Sequence, residues 1–170
     1  LTVINLDLTV AGIHFAGLGV QDSVQIMNGT ARFEQCSFTE VSIAFLNTKG
    51  PANPVTIDLD RCLLRKVGLG GTGPGLRIGI KESGIVGGQH LIGLSSDAGQ
   101  EIAIEQSTLV ASYVLGTSMR TQETALAFQM DRCLFFAPWF CNNLVVLGAP
   151  ESTTSRGMAG CQEALRQSFK

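Results

Sequence analysis

The sequence predicts an all-β solenoid of about six to seven rungs, and three features of one recurring stretch carry that prediction. The stretch is Ile57-Asp58-Leu59-Asp60-Arg61-Cys62-Leu63-Leu64, and its nearest echo is Phe128-Gln129-Met130-Asp131-Arg132-Cys133-Leu134-Phe135. Looser copies occupy 8–15, 31–38, 78–85 and 102–109. With Cys62 as position zero, the equivalent residues are Ile13, Cys36, Cys62, Ser83, Ser107 and Cys133, spaced by 23, 26, 21, 24 and 26 residues. Such a period, with unequal insertions, marks stacked units that are each too small to bury their apolar face alone. The second feature is a set of apolar columns through all copies, and the third is a polar pair at one fixed place.

The columns are well populated. Position −3 holds Val10, Phe33, Leu59, Ile80, Ile104 and Met130, and position −5 holds Leu8, Ala31, Ile57, Ile78, Ile102 and Phe128. Position +2 holds Phe15, Phe38, Leu64, Ile85, Leu109 and Phe135. Position −7 holds Leu6, Val55, Leu76 and Leu126 but is broken by Gly29 and Gln100. Apolar residues at −7, −5 and −3 follow a period of two, so they form a strand with one buried face. The buried set resumes at 0 and +2. That step of three would turn the side chains outward unless the chain bends there. The residues at the bend are Glu34-Gln35, Asp60-Arg61, Lys81-Glu82, Glu105-Gln106 and Asp131-Arg132. A strand, a polar corner and a short second strand make one rung of a parallel β-helix.

On these residues the chain resembles the right-handed parallel β-helix proteins, the pectate-lyase-like superfamily in the broad sense, over about residues 1–147. The resemblance implies the fold. It implies no single activity, because the superfamily holds lyases, hydrolases, adhesins and non-catalytic modules alike.

In chain order, residues 1–15 form the first rung, with His14 outward at +1, and Ser23 to Met27 continue the coil to an Asn28-Gly29 turn. Val41 to Phe45 alternates cleanly and reads as a strand. Asn47 to Pro54 is a loop by its Gly50-Pro51 and Asn53-Pro54 pairs. Gly68 to Gly75 reads as a second loop; it lacks the Gly-Lys-Ser/Thr ending of a phosphate-cradling loop. His90 to Leu94 and Tyr113 to Leu115 read as strands, and Gly116 to Thr124 as a third loop. Pro138-Trp139-Phe140 interrupts the pattern, and Leu144 to Leu147 reads as the opening of a further rung. Residues 148–170 form a C-terminal loop followed by Met158, Cys161, Leu165 and Phe169 at helical spacing, a short amphipathic helix able to cap the coil.

Composition bounds the rest. The 170 residues amount to one domain. No apolar run approaches the ~18 residues of a membrane span. A net charge of −2 gives no electrostatic reason to expect nucleic acid or an anionic membrane as partner. Of five cysteines, Cys36, Cys62 and Cys133 share one column with Ser83 and Ser107. Rungs ~4.8 Å apart leave a Cys36–Cys62 disulfide geometrically open. The column nevertheless reads as small side chains stacked in the core, with reduced thiols. No CxxC pair occurs, so no metal site is expected.

Candidate chemistry lies at the corner. Asp58 and Asp60 both point outward from one strand, at the ~5–10 Å separation that a two-carboxylate glycosidase uses. Arg61 beside them is the candidate base or electrostatic clamp. In the resemblance, polysaccharide lyases combine a calcium-bound acid cluster with a nearby basic residue, so Ca2+ belongs to that reading alone. Against it, Lys81 stands between Asp60 and Glu105, and the column Glu34, Asp60, Lys81, Glu105, Asp131 reads as an ion-pair ladder. Trp139 and Tyr113 are the candidates for stacking on a sugar. His14 and His90 are too far apart in the repeat to build a triad.

The expectation is therefore a non-catalytic β-helix module, a rigid scaffold or a surface binding a polysaccharide or another protein. The alternative is a polysaccharide lyase or glycoside hydrolase. The first rung is under way by Leu6. The chain is thus expected to be a piece of a larger multi-domain bacterial protein, covalently linked to further domains, with no cellular address readable in it.

Overall fold

The computed structural model describes residues 1–17, 23–87, 90–95, 99–111, 113–118, 126–136 and 139–142. The strands are β1 (Thr2–Ile4), β2 (Asp7–Ala11), β3 (His14–Ala16), β4 (Ser23–Met27), β5 (Thr30–Glu34), β6 (Ser37–Thr39) and β7 (Ser42–Leu46). They continue as β8 (Val55–Asp60), β9 (Leu63–Arg65), β10 (Leu69–Thr72), β11 (Leu76–Lys81), β12 (Gly84–Val86) and β13 (His90–Ser95). The last are β14 (Gln100–Glu105), β15 (Thr108–Val110), β16 (Tyr113–Ser118), β17 (Leu126–Asp131), β18 (Leu134–Phe136) and β19 (Trp139–Asn142).

Every third strand joins the same sheet. The first sheet runs β1-β4-β7-β10-β13-β16-β19, the second β2-β5-β8-β11-β14-β17, and the third β3-β6-β9-β12-β15-β18. All pairings are parallel, and each turn of the chain adds one strand to each sheet. This is a parallel β-solenoid, as the repeat predicts. Among the described residues every regular element is a strand. The expected helix at 158–169 and the expected strand at 144–147 lie outside those residues.

The columns stack as the spacing requires. Ile57 pairs with Ile78 and Leu59 with Ile80, and Leu64 pairs with Ile85. Phe33, Leu59, Ile80 and Ile104 are all buried, as are Ala31, Ile57, Ile78 and Ile102. Each Leu or Ile so enclosed contributes about 1.5–3 kcal/mol. Near the N-terminal end Phe15 stacks on Phe38 with ring centroids 4.7 Å apart and planes 5° from parallel, and Phe33 meets Phe38 edge-on at 5.3 Å. Leu6 and Ile13 occupy the same inward columns yet are exposed, because their turn has a neighbour on one side only.

The bend is made by one residue. Gln35, Arg61, Glu82, Gln106 and Arg132, all at −1, have φ of 53°, 53°, 49°, 49° and 51°, and Gly12 takes the same place in the first turn at 68°. Left-handed backbone costs a residue with a side chain about 1–2 kcal/mol. Hydrogen bonding offsets that cost: the Arg61 N–H donates to Lys81 O at 2.9 Å and the Glu82 N–H to Glu105 O at 3.1 Å, so the ladder passes through the corner unbroken. A second left-handed corner follows the third sheet at Glu40 and Lys66, with φ of 57° and 52°.

Position 0, at the inside of that corner, differs from the expectation of a passive packing column. Cys62 Sγ lies 3.3 Å from Phe33 O and 3.4 Å from Asp60 O. The Ser83 hydroxyl lies 2.7 Å from Lys81 O and 3.3 Å from Leu59 O, and it accepts the Cys62 N–H at 2.9 Å. Ser107 Oγ repeats this, donating to Glu105 O at 2.6 Å and accepting the Ser83 N–H at 3.1 Å. Cys36 and Cys133 point their thiols at the equivalent carbonyls. At the left-handed corner the −2 carbonyl, which already accepts one N–H across the rung, also faces the γ-atom inside the coil beside the N–H of position 0, where unpaired polar groups cost free energy. A γ-donor satisfies them. Serine and cysteine interchange here because both carry one. Burial pushes the Cys62 thiol up to about 11, with neighbouring backbone N–H groups opposing the shift.

Two expected loops contain strands. β10 lies inside the glycine-rich 68–75 segment and pairs residue for residue with β7 and β13. Its Gly71 accepts the Phe45 ring, whose Cε2 would sit 2.4 Å from an added Cβ. Gly71 is there for close packing, whereas Gly70 faces open space. β16 runs to Ser118, into the third expected loop, and β19 pairs with it from Trp139 onward, where the sequence reads as an interruption. The loop between β7 and β8 is gathered by buried Asn47, whose Nδ2 donates to the carbonyls of Gly50, Asn53 and Pro74.

Candidate functional site

The outward residues of the second sheet build a charged concavity. β8 alternates Val55, Ile57 and Leu59 inward with Thr56, Asp58 and Asp60 outward. Parallel register then places Arg32, Asp58, Gly79 and Ala103 in one outward column, and Glu34, Asp60, Lys81 and Glu105 in the next. Between them lies a shallow groove of about 350 Å³ that all eight residues line. Its floor is low where the first column loses its side chains at Gly79 and Ala103. Asp58 leans into that space, so a Cβ on Gly79 would fall 2.6 Å from Asp58 Oδ1.

The electrostatics are those of paired charges. Arg32 reaches Asp58 across the rung at 3.5 Å, and Arg61 turns back on Asp60 at 3.3 Å. Arg132 repeats the second contact on Asp131 at 2.9 Å, and Arg77 pairs with Glu101 at 2.9 Å along a flanking column. At the second corner Lys66 meets Glu40 at 2.7 Å. Its ammonium hydrogen bond and charge hold the Glu40 carboxyl below its usual range and raise Lys66 in turn. The hydrogen bond and charge of Asp60 likewise raise the Arg61 guanidinium above its ordinary value. A guanidinium that holds its proton more firmly still is an electrostatic clamp on Asp60 and no base.

The expected ladder takes a different route. Among the described residues no ion pair joins Lys81 to Asp60 or to Glu105. The column through Glu34, Asp60, Lys81, Glu105 and Asp131 exists as a row of register partners. Two of its acids, Asp60 and Asp131, are paired with the arginine next in sequence, and cross-rung pairing runs through Arg32–Asp58, Arg77–Glu101 and Glu40–Lys66.

Of the candidate residues, the structure brings Asp58 and Asp60 into one groove, with Arg61 at its rim and outside its lining. Tyr113 and Trp139 are register partners on β16 and β19, in the first sheet, and so belong to a different face from the acids. His14 lies on the third sheet, its Nδ1 2.7 Å from Ser37 Oγ. Among the described residues no group of three or more His, Cys, Asp or Glu side chains is placed to hold a metal ion. Sequence reasoning missed Arg32, Gly79 and Ala103. The signal for them was the −4 column, which shrinks from Arg32 and Asp58 to Gly79 and Ala103.

Comparison with protein-family models, with curated proteins and with solved structures gave no match.

Proposed function

We propose that this chain is a non-catalytic β-solenoid module, a rigid body that holds a charged groove on its second sheet toward a polymer or a protein. Within that reading it serves as one part of a multi-domain bacterial protein, as similar β-helices do. One observation supports it above others: both acids that could do chemistry, Asp58 and Asp60, are engaged by arginines at 3.5 and 3.3 Å. A nucleophile or general base needs a free lone pair aimed at substrate. A paired carboxylate on an open surface offers a static charge pattern instead, which selects partners more than it transforms them.

The test is turnover. The purified chain is incubated with pectin and with alginate, with and without calcium, and unsaturated products and new reducing ends are followed. The expected result is no product above the blank. Product that depends on Asp58 or Asp60, lost in Asp60→Asn, overturns the reading in favour of a polysaccharide lyase or glycoside hydrolase.

A further inference from the structure

The −2 column of the second sheet reads acid, acid, cation, acid, acid from turn to turn. Glu34, Asp60, Lys81, Glu105 and Asp131 are register partners on β5, β8, β11, β14 and β17. Arg61 and Arg132 engage Asp60 and Asp131 at 3.3 and 2.9 Å. Among the described residues Glu34, Lys81 and Glu105 form no ion pair. Each pair of neighbouring acids thus keeps one carboxylate unengaged, and the exposed Lys81 ammonium stands between the two pairs. Glu82 lies at −1 beside Arg61, outside the groove. The lining itself holds two more carboxylates than cations.

The spacing of these charges selects the occupant. With strands ~4.8 Å apart, the centre of each acid pair stands about 7 Å to either side of Lys81. An extended peptide repeats the side chains of one face every ~6.7 Å, so three alternate residues match this column to within about 1 Å over their whole length. Laid along the solenoid axis, such a segment meets the column with a basic, an acidic and a basic side chain in turn. Gly79 and Ala103, in the neighbouring column, leave the floor low beside Lys81 and Glu105, where its backbone has room. Polyuronates such as pectin and alginate carry a negative charge on sugar after sugar and meet a lining with excess carboxylate. A second copy of this chain brings the same order of charges, which repels itself in register.

We propose that the groove takes an extended segment of a partner protein with basic, acidic and basic residues at alternate positions. This rests on the non-catalytic reading above and names its partner. The test follows the fluorescence anisotropy of a labelled Thr-Lys-Val-Glu-Val-Lys-Thr peptide against the full chain at low salt. It is expected to bind about fivefold tighter than a shuffled Thr-Val-Lys-Lys-Glu-Val-Thr peptide of the same charge. Lys81→Glu, at an exposed position, is expected to erase that preference and to favour Thr-Lys-Val-Lys-Val-Lys-Thr instead. Glu34→Lys is expected to weaken binding of the alternating peptide. Equal binding of the alternating and shuffled peptides overturns the proposal, since it would show attraction to net charge alone. So does a preference that survives Lys81→Glu, or alginate binding that Lys81→Glu abolishes, which assigns the groove to a polysaccharide. These results end this proposal alone, whereas product in the turnover assay ends the non-catalytic reading and this one with it.

Discussion

The two sides of one corner obey different rules. Inside, position 0 carries Cys36, Cys62, Ser83, Ser107 and Cys133; each γ-atom meets the carbonyl two residues before it, and those of Cys36, Cys62, Ser83 and Cys133 also meet a carbonyl of the preceding turn. Outside, positions −2 and −1 carry Glu34-Gln35, Asp60-Arg61, Lys81-Glu82, Glu105-Gln106 and Asp131-Arg132, with ion pairs at two of them. Both sides look polar in sequence. The inside is constrained by the backbone, which repeats from the second turn onward, and there every position 0 carries a small γ-donor; Ile13 stands at the position only in the first turn. The outside faces water, where charges gain little from being placed in any one way. Regularity in the solenoid thus comes from inward requirements, and the outward columns are free to vary. A groove that recognises something can be written there without cost to the fold.

The largest expected effect breaks the inside of the strand that carries the groove. Leu59 is 1% exposed, between outward Asp58 and Asp60. Leu59→Asp would bury an unpaired charge costing several kcal/mol, most of a typical domain's 5–15 kcal/mol. The variant is expected to be insoluble or to lack a cooperative melting transition by circular dichroism. A soluble, cooperatively melting variant contradicts the inward register.

Next in size is the donor column. Ser83→Ala leaves the Cys62 N–H without its partner, while the Lys81 carbonyl keeps the Arg61 N–H, at about 1–3 kcal/mol for an unsatisfied buried group. For a domain of this size the midpoint falls by roughly 2–4 °C per kcal/mol. Ser83→Cys keeps a γ-donor and is expected to lose less than half as much. Equal losses in the two variants would return the column to passive packing.

The same column predicts a pH dependence. The Cys62 thiol titrates near 11 when folded, against an ordinary value of 9.0. The folded state therefore keeps its proton where the unfolded chain has lost it. The stabilisation is complete below pH 9 and fades as pH rises from about 9 to 11. Urea unfolding across that range is expected to show a steeper loss in the native protein than in Cys62→Ser, which removes the titrating group and retains a donor. Parallel curves would mean that Cys62 does not contribute.

The fold was legible because its requirements recur. Leu59 and Ile80, or Leu64 and Ile85, are apolar for the same reason in each turn, and repetition separates that reason from chance. What escaped was what occurs once or depends on backbone geometry. β10 is hidden because Leu69-Gly70-Gly71-Thr72 has turn composition; its pairing to β7 and β13 overrides propensity. The donor role of position 0 is invisible until the corner is known to be left-handed at −1, since that geometry brings the −2 carbonyl to the γ-atom. Gln100 reads as a break in an apolar column, yet it is buried, and its amide has no partner among the described residues. The groove was half visible. Asp58 and Asp60 follow from alternation along one strand, but Arg32 and Gly79 become neighbours of Asp58 only through pairing between turns.

The smallest expected effect is on the outside, and it bears directly on function. Asp58→Asn removes a pair with Arg32 at the surface, worth at most ~1 kcal/mol, so its midpoint is expected to move by no more than ~4 °C. Calcium should move it less still. A bound ion at 100 times its dissociation constant adds ~2.7 kcal/mol, which here would raise the midpoint by roughly 5–10 °C. That gain needs six to eight oxygen ligands. Of the four carboxylates that line the groove, Asp58 and Asp60 are already engaged by Arg32 and Arg61, and the Lys81 ammonium stands in the same column as Glu34 and Glu105. Melting with and without millimolar calcium is therefore expected to coincide. A rise of several degrees that disappears in Asp60→Asn would show that the arginines yield to the ion, and the outer column would then be a site under the same constraint as the inner one.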